Sequence, residues 1–405
     1  MGGDLKKRLS HYIDFVPGSK ISEIYRKGTK LSKYHILQIN SSYYGGGIAE
    51  TLRNMIPLLN EIGVDVGWRA MVGSSDFFRV CKKFHNALLG DGINLTSMKK
   101  KVYEETNENF TNFTHIEHDL VVVHNHPSLP LIKFYKKRQP WIWRFHDDMS
   151  NATQEIIDYF KSFIIPFDEY IFQMGECALG EIREECKFIQ PSIDPLSTKN
   201  QSIGKKKVYK YLDKIGVDPS RPIVSQVSHF DKHKDPLGVL EVFERIRKDM
   251  DCQLVLIGSM ARYDPEGEDI YKQVLRRSQE LEDVTIVLDP HDILINSVQR
   301  ASDVVMQKSL KEGFGLAVAE ALWKKTPVVG SRVGGIAKQI KDGENGYLVD
   351  PKDYDEAAKK VMDLLSDEHL RKKMGQNGRG NIKKNFLITR AIEDWLNVWT
   401  EILTP

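Results

Sequence analysis

Short apolar runs alternate with segments of helical spacing along most of the chain. The first run, residues 34–39, ends at polar Asn40 and is followed by a glycine loop and a helical pattern. Runs of this length, bounded by polar or glycine residues, are typical of strands buried on both faces. The first series therefore predicts a parallel sheet with helices on both sides. Its predicted strands are 34–39, a strand beginning at 64–68, 120–123, 141–145, 170–172 and 188–189.

A lysine-rich, helix-prone stretch at 201–213 interrupts this pattern, which then restarts. Two such series predict an α/β protein of two doubly wound, Rossmann-like domains facing a central cleft, with ligands at the carboxyl ends of the strands. The predicted strands of the second series are 222–227, 253–257, 285–288, 304–307 and 327–329. We divide the chain into an extension at 1–33, an N-terminal domain at 34–198, a C-terminal domain at 206–385 and a helix at 386–405 that packs back on the N-terminal domain.

Length and charge narrow the classes of function. A chain of 405 residues suits two domains of about 200. Its 58 basic and 56 acidic residues leave a net charge of +2, which provides no general field for nucleic acid or an anionic membrane. The longest apolar runs are too short to span a bilayer, and the N-terminus lacks a signal sequence. Four widely spaced cysteines fit reduced thiols, so we expect a cytoplasmic protein.

Fingerprints of common cofactor and metal sites are missing. No Gly-x-Gly-x-x-Gly follows a strand and no P-loop motif occurs, which argues against a dehydrogenase and a P-loop enzyme. Asp353-x-Asp355 has metal-ligand spacing but lies where acids cap a helix. The pairs His124/His126 and His229/His233 have no further ligand at a recognised spacing. We therefore predict no metal ion.

Two glycine-containing loops precede helices. Gly45–Gly47 follows the first strand, and three glycines are more than a tight turn needs, so this loop is a weak phosphate-site signal. In the second loop, Glu312 is followed by Gly313 and Gly315, and Glu320 lies in the helix that follows. A carboxylate within the apolar run 317–322 needs polar partners, such as ligand hydroxyls.

These motifs together resemble a known enzyme class. Glu312-Gly-Phe-Gly-Leu-x3-Glu320, the loop Gly45–Gly47, His146 after a strand and Val333-Gly-Gly resemble the retaining nucleotide-sugar glycosyltransferases of the GT-B type. Segments 40–59, 136–148 and 190–197 are similar to the glycosyltransferring trehalose synthase family. The resemblance implies transfer of glucose from ADP- or UDP-glucose to glucose, giving α,α-trehalose. It also implies sugar and nucleotide-sugar partners, no cofactor, and allows a homodimer.

The resemblance also implies roles for single residues, with the acceptor on the N-terminal domain and the donor on the C-terminal domain. The residues expected to bind the donor are Gly46, Gly47, His229, Lys234, Glu312, Gly313, Phe314, Gly315 and Glu320. The residues expected to bind the acceptor are Asn40, His146 and Asp147. Among all of these, His146, Lys234 and Glu312 are the expected catalytic residues.

One departure and three alternatives accompany this interpretation. His229 stands where the family usually has an arginine beside the leaving diphosphate, so a permanent charge is replaced by a titratable one. A retaining trehalose phosphorylase would use phosphate in place of the nucleotide. A nucleotide-sugar 2-epimerase would share the fold but need no second sugar. A nucleotide-sugar sensor would bind without turnover, although the presence of the catalytic residues argues against it.

Overall fold

The computed structural model describes residues 7–178, 186–260 and 265–404. The chain divides into two compact units: unit 1 comprises Met1–Ser192 and Ile388–Pro405, and unit 2 comprises Ile193–Leu387. Within the described residues, each unit contains one six-stranded sheet with helices and its own apolar core. The predicted fold class, two parallel-sheet α/β domains, is confirmed.

The sheet of unit 1 is parallel throughout. Its strands are β1 (His35–Asn40), β2 (Asp65–Ala70), β3 (Leu120–His124), β4 (Trp141–Arg144), β5 (Glu169–Phe172) and β6 (Cys186–Phe188). They are arranged in the order β2-β1-β3-β4-β5-β6. The strand order reverses between β1 and β3, so the loops after these two strands diverge and leave a crevice at the carboxyl edge.

The helices of unit 1 cover this sheet. They are α1 (Gly18–Lys30), α2 (Gly46–Glu61), α3 (Ser75–Leu88), α4 (Ser97–Thr111), α5 (Leu131–Phe134), α6 (Gln154–Ile164) and the last helix of the chain, α15 (Ile388–Leu403). Every residue of β3 and β4 is buried, which explains why both strands read as continuous apolar runs. Tyr103, Phe160 and Trp143 belong to the aromatic core beside them.

The described part of the segment 1–33, which we predicted as an N-terminal extension, packs within unit 1. Within its described part, Ile21 and Ile24 of α1 are buried, because the apolar side chains follow one helical face. Lys20 and Lys27 of α1 both form ion pairs with Glu393 of α15. The first and last helices of unit 1 are therefore tied together, although more than 360 positions separate these residues in the chain.

The sheet of unit 2 is also parallel. Its strands are β7 (Ile223–Val227), β8 (Gln253–Gly258), β9 (Val284–Leu288), β10 (Val304–Gln307), β11 (Val328–Ser331) and β12 (Gly346–Val349). Their order is β12-β11-β10-β7-β8-β9. The order reverses between β7 and β10, which makes the loops after these strands the expected place for a ligand. Strand β12 was missed from sequence because Gly346 and Tyr347 give it only a short apolar stretch.

Eight helices complete the described part of unit 2. They are α7 (Lys205–Asp213), α8 (Pro236–Arg247), α9 (Pro265–Ser278), α10 (Asp292–Ala301), α11 (Leu316–Trp323), α12 (Ile336–Gln339), α13 (Tyr354–Ser366) and α14 (Glu368–Asn385). At the start of α13, the Asp353 carboxylate accepts a hydrogen bond from the Glu356 amide at 2.8 Å. The capping interpretation of Asp353-x-Asp355 is confirmed.

Among the described residues, no helix has both the length and the apolar character required to cross a bilayer.

Candidate active site

In unit 2, Lys234 and Glu312 form an ion pair at the point where the strand order reverses. The Lys234 Nζ donates to Glu312 Oε1 at 2.7 Å, and Ser309 Oγ donates to Glu312 Oε2 at 3.0 Å. Lys234 comes from the loop after β7 and Glu312 from the loop after β10. The structure thus brings together two residues that are 78 positions apart and that the sequence analysis assigned to the same donor.

The turn that carries Lys234 is held by two aspartates. Asp231 Oδ1 accepts a hydrogen bond from the His233 amide at 2.7 Å, and Asp235 Oδ1 caps α8 by accepting from the Gly238 amide at 3.1 Å. The Leu310 amide donates to the His233 carbonyl oxygen at 2.7 Å, which joins this turn to the Glu312 loop. Local capping and one long-range backbone bond therefore place the lysine beside the glutamate.

The loop of Glu312 packs directly on the Gly334-Gly335 turn. A Cβ on Gly334 would lie 1.8 Å from the Glu312 carbonyl oxygen, and a Cβ on Gly335 would lie 2.4 Å from Phe314 Cα. The Gly335 amide donates to the Gly313 carbonyl oxygen at 3.0 Å. The glycine pair noted in the sequence is therefore required for close packing against the Glu312 loop.

Gly313, Phe314 and Gly315 connect this loop to α11. The carbonyl of Gly313 accepts from Gly335, and the carbonyl of Phe314 accepts from the Gln339 side chain at 2.6 Å. Gly315 has φ +80° and forms the N-cap of α11 without a side-chain cap. Both carbonyl oxygens accept hydrogen bonds from within the protein. A backbone contact with a nucleotide-sugar donor would therefore be made by the amide groups at the start of α11.

Glu320 is buried in α11, and the structure reveals a partner that sequence reasoning missed. The residue is 3% exposed, and its Oε1 lies 3.7 Å from Nζ of Lys199, which also lies 4.0 Å from Asp292. Lys199 precedes the second strand series and belongs to no motif, so only its folded position associates it with Glu320. A ligand hydroxyl at Glu320 would share this carboxylate with the lysine.

His229 lies in the loop after β7. Its Nδ1 is 3.0 Å from Ser259 Oγ and 3.2 Å from the Ser259 carbonyl oxygen, just beyond the end of β8. Both contacts are made by the Nδ1 atom of the ring. The prediction that His229 contacts a diphosphate in place of the usual arginine stays a prediction.

In unit 1, the glycine loop opens α2. Gly45 and Gly46 have φ values of +77° and +74°, and Gly45 caps the helix without a side-chain acceptor. Added Cβ atoms at these two positions would meet nothing within 4 Å, so the backbone conformation is what requires glycine. Gly47 is exposed, as are Gly45 and Gly46. The first turn of α2 is therefore accessible to solvent, which an anion bound at a helix start requires.

His146 is the end of a hydrogen-bonded chain in unit 1. Its Nε2 lies 2.7 Å from Nδ1 of His124, and Nε2 of His124 lies 2.6 Å from Oε1 of Gln38. Gln38 Oε1 can only accept, so His124 carries its proton on Nε2 and donates it to this oxygen. His124 Nδ1 therefore accepts a hydrogen bond from His146, whose proton is on Nε2. Nδ1 of His146 then carries a lone pair and can accept a hydrogen bond from a hydroxyl.

Both imidazoles are kept neutral. Burial, followed by the charge of Arg144, lowers the pKa of His124 to about 3. Burial, the charge of Arg144 and the neighbouring His124 hold the pKa of His146 well below its ordinary value. A neutral histidine accepts and orients a hydroxyl, whereas a protonated one could only donate.

Asn40 and Asp147 are already engaged within unit 1. Asn40 accepts from Trp68 Nε1 at 2.8 Å and donates to the Ser42 carbonyl oxygen at 2.7 Å. Asp147 accepts from the Asn125 side chain at 3.0 Å, and Asn125 Oδ1 accepts from the His146 amide at 2.8 Å. These bonds shape the loops around the predicted acceptor residues. Acceptor binding by Asn40 and Asp147 themselves stays a prediction.

A pocket in unit 1 joins α2 to His146. Residues from α2, the ends of β3 and β4, the 189–192 segment and α15 line it, and Trp395 of α15 places its ring 6.4 Å from that of His124. The sequence analysis assigned no functional role to the C-terminal helix that carries Trp395. The sequence analysis also missed His124 and Arg144 as site residues. Both stand at strand ends beside His146, and this position in the sequence could have identified them.

The histidine pairs weighed as metal ligands have other partners. His124 bonds to His146 and Gln38, while His126 Nε2 lies 3.0 Å from the Cys81 carbonyl oxygen. No group of three or more histidine, cysteine or acidic side chains suited to a metal ion occurs among the residues that the structure describes. That activity needs no metal stays a prediction.

Two families match the chain, one in each series of strands. Residues 38–179 match "Trehalose synthase, N-terminal domain", and residues 209–381 match "Glycosyl transferases group 1". A trehalose synthase of Thermococcus litoralis is 40% identical over 399 residues, which cover 97% of this chain and 96% of that protein. A trehalose phosphorylase of Pleurotus pulmonarius is 27% identical, over 88% of this chain and 56% of its own length.

The fold is found in solved structures as well. The UDP-forming alpha,alpha-trehalose-phosphate synthase of Burkholderia xenovorans superposes with a TM-score of 0.74 over 92% of this chain and all of that chain, at 14% identity. At this identity the likeness shows the fold alone, which is that of the GT-B glycosyltransferases. The long match at 40% identity and the two family matches carry the assignment. The chain therefore belongs to the trehalose synthase family of glycosyltransferases.

Proposed function

We propose that this glycosyltransferase joins glucose from a nucleoside diphosphate glucose to free glucose, with retention at the anomeric carbon, to form α,α-trehalose. The observation that carries the proposal is the Lys234–Glu312–Ser309 cluster at the reversal point of the unit 2 sheet. A lysine and a carboxylate held together there suit a donor that brings a diphosphate and sugar hydroxyls.

Lys234 supplies the positive charge for the leaving diphosphate. As the bond between the anomeric carbon and the diphosphate oxygen breaks, negative charge grows on that oxygen and an oxocarbenium-like sugar forms. Lys234, which Glu312 holds at the site, stabilises this charge. When Lys234 turns to the diphosphate, Glu312 becomes available to accept hydrogen bonds from the donor hexose.

His146 orients the acceptor in this proposal. Its neutral ring is fixed by His124, and the lone pair on Nδ1 accepts a hydrogen bond from a sugar hydroxyl. The acceptor proton passes to the leaving phosphate oxygen on the same face, so the acceptor bond forms where the donor bond broke. No protein nucleophile is required, and Glu320 with Lys199 is assigned to the ribose hydroxyls.

Phosphorolysis is the second candidate function. The match to a trehalose phosphorylase, although at 27% identity, spans both units. In that reaction inorganic phosphate would take the place that we assign to the nucleoside diphosphate. The two candidates differ in their co-substrate, so product analysis separates them.

A single set of incubations tests the proposal. The full chain is incubated with ADP-glucose or UDP-glucose and glucose, and separately with trehalose and phosphate. Chromatography should show formation of a non-reducing disaccharide and of free nucleoside diphosphate in the first set, and no consumption of trehalose in the second. Lys234→Met should lower kcat/KM by at least about a hundredfold, because it removes the charge that stabilises the leaving group. Lys232→Met, in the same turn, is the matched control and should retain most activity.

Two outcomes would contradict the proposal. Turnover of trehalose with phosphate and none with either nucleotide sugar would assign the phosphorylase reaction. Release of an epimerised nucleotide sugar without use of glucose would assign an isomerase.

A further inference from the structure

Arg144, at the end of β4 in unit 1, is a buried cation without a carboxylate partner among the described residues. The residue is 2% exposed, and its Nη2 donates to the Ile189 carbonyl oxygen. Its Nε and Nη1 are buried and make no hydrogen bond. A guanidinium that loses water without gaining an anion is destabilised by desolvation, so this arrangement calls for an additional partner.

The surroundings of Arg144 provide donors and no negative charge. It lines the pocket that also contains His146 and Ser192, and no aspartate or glutamate is among the lining residues. Ser192 Oγ is buried and makes no hydrogen bond. The two imidazoles at the pocket, His124 and His146, are kept neutral by the same burial and by Arg144 itself. None of these groups balances the guanidinium charge.

A second guanidinium beside Arg144 increases the excess of positive charge. Arg390 of α15 donates to the Asp394 carboxylate and to the carbonyl oxygens of Gln190 and Pro191, while its Nε makes no hydrogen bond. Burial, followed by the positive charge of Arg390, lowers the pKa of Arg144 to about 9. Arg144 therefore stays charged at neutral pH, and Asp394 balances one guanidinium of the two.

We propose that the pocket lined by Arg144, Ser192 and His146 binds a small inorganic anion, phosphate or halide. The free N–H groups of Arg144 and the hydroxyl of Ser192 are its donors, and it neutralises the charge that the protein leaves unpaired. The site lies in unit 1, whereas Lys234, to which the donor diphosphate is assigned, belongs to unit 2. The neutral acceptor sugar supplies no such anion.

The anion also has a consequence for the candidate acceptor residue. After burial, the positive charge of Arg144 contributes to the lowered pKa of both His124 and His146. A bound anion offsets that charge next to the imidazole that is proposed to orient the acceptor. Anion binding therefore sets the electrostatic environment of His146 without contributing an atom to the reaction.

Titration in an anion-poor buffer tests the proposal. The full chain is dialysed into a gluconate buffer, and chloride or phosphate is added at constant ionic strength without any nucleotide or sugar. We expect a saturable heat in calorimetry and a saturable rise in Tm of several degrees for at least one of the two anions. The anion that gives the saturable response is the one whose size fits the pocket.

Arg144→Met separates a site from a general salt effect. Methionine removes the unpaired charge and retains much of the volume, so the variant should melt at or above the wild-type temperature in gluconate and should not respond to either anion. Arg379→Met is the matched control, because Arg379 stacks 4.2 Å over Trp323 in unit 2 and lies outside the pocket. It should retain the wild-type anion response.

Three results would overturn the proposal. They are an absence of saturable heat for both anions with the wild-type chain, an equal anion response of Arg144→Met and wild type, and melting of Arg144→Met far below wild type in gluconate. The first result needs no variant, so it tests the proposal independently of the stability of Arg144→Met. None of these results bears on the transferase reaction, which is assayed with nucleotide sugar.

Discussion

Lys234 and Glu312 show how two charges can be prepared for a substrate by pairing with each other. Their contact of 2.7 Å orients both side chains, and Ser309 is a further partner of the carboxylate. Exchange of the glutamate for a diphosphate replaces one anionic partner of the lysine by another. The pair thereby limits the desolvation cost of an unpaired charge in the empty site.

The first prediction at this scale concerns Gly334. Alanine there would place a Cβ 1.8 Å from the Glu312 carbonyl oxygen at a backbone φ of +42°, so the catalytic loop must move. Because a displacement of about 1 Å can reduce catalysis about a hundredfold, we expect Gly334→Ala to lower kcat/KM by about that factor. Steady-state kinetics with nucleotide sugar and glucose provide the measurement.

Gly343→Ala is the control for backbone strain alone. Gly343 has φ +76° but no atom within 4 Å of an added Cβ, so the substitution costs about 1–2 kcal/mol of stability without a clash. Its kcat/KM should stay near that of the wild-type enzyme. Equal activity of the Gly334 and Gly343 variants would show that the contact with Glu312 does not position the loop.

At the scale of elements, the end of β3 gathers buried histidines that make unit 1 sensitive to acid. Burial lowers the pKa of His124 and of His126 to about 3. An unfolded histidine binds its proton near pH 6.5, so below that pH the unfolded chain takes up protons that the folded unit excludes. The contribution of each neutral histidine to stability is complete above about pH 6.5 and is lost as the pH falls toward 3.

We therefore predict a decline in the free energy of unfolding of about 1.4 kcal/mol per pH unit for each such histidine between pH 6.5 and 3. His126→Gln, which retains an amide donor for the Cys81 carbonyl, should reduce this slope by about one histidine's share. Urea unfolding followed by circular dichroism at pH 5 to 8 provides the measurement. His369→Gln, at an exposed position of α14, should retain the wild-type slope, and an unchanged slope in His126→Gln would contradict the prediction.

At the scale of the whole molecule, both units use the carboxyl edge of a parallel sheet but present different chemistry there. Unit 1 presents a glycine-capped helix and a neutral histidine pair, while unit 2 presents a lysine, two glutamates and a second glycine-rich helix start. In the proposed mechanism, a side chain and helix amides supply the positive charge for the donor. Dimer formation stays a prediction of the sequence analysis.

This division of chemistry predicts transfer without a divalent metal. Lys234 and the helix amides take the neutralising role that Mg²⁺ has in other nucleotide enzymes, so dialysis against EDTA should leave the rate within about twofold of the untreated enzyme. Rates before and after dialysis, and after addition of Mg²⁺, provide the measurement. A loss of more than tenfold that Mg²⁺ restores would refute the prediction and require metal ligands that the sequence analysis did not identify.

The sequence by itself determined the features that depend on neighbours along the chain. Buried parallel strands are continuous apolar runs, so β3, β4, β7 and β8 were predicted close to their observed bounds. The capping of α13 by Asp353 and the placement of Glu312 and Glu320 around Gly315 follow from local spacing as well. The resemblance of these motifs also sufficed for the family.

Only the tertiary structure decided which distant residues meet. Lys199 approaches Glu320, and Glu393 of α15 holds the first helix, although no pattern links these positions. The chain from Gln38 through His124 to His146 spans three strands, and its proton positions depend on all three side chains. The unpaired state of Arg144 is likewise a property of everything packed around it. Burial and partnership are settled by contacts far apart in sequence, because the free energy of a charge depends on its whole surroundings.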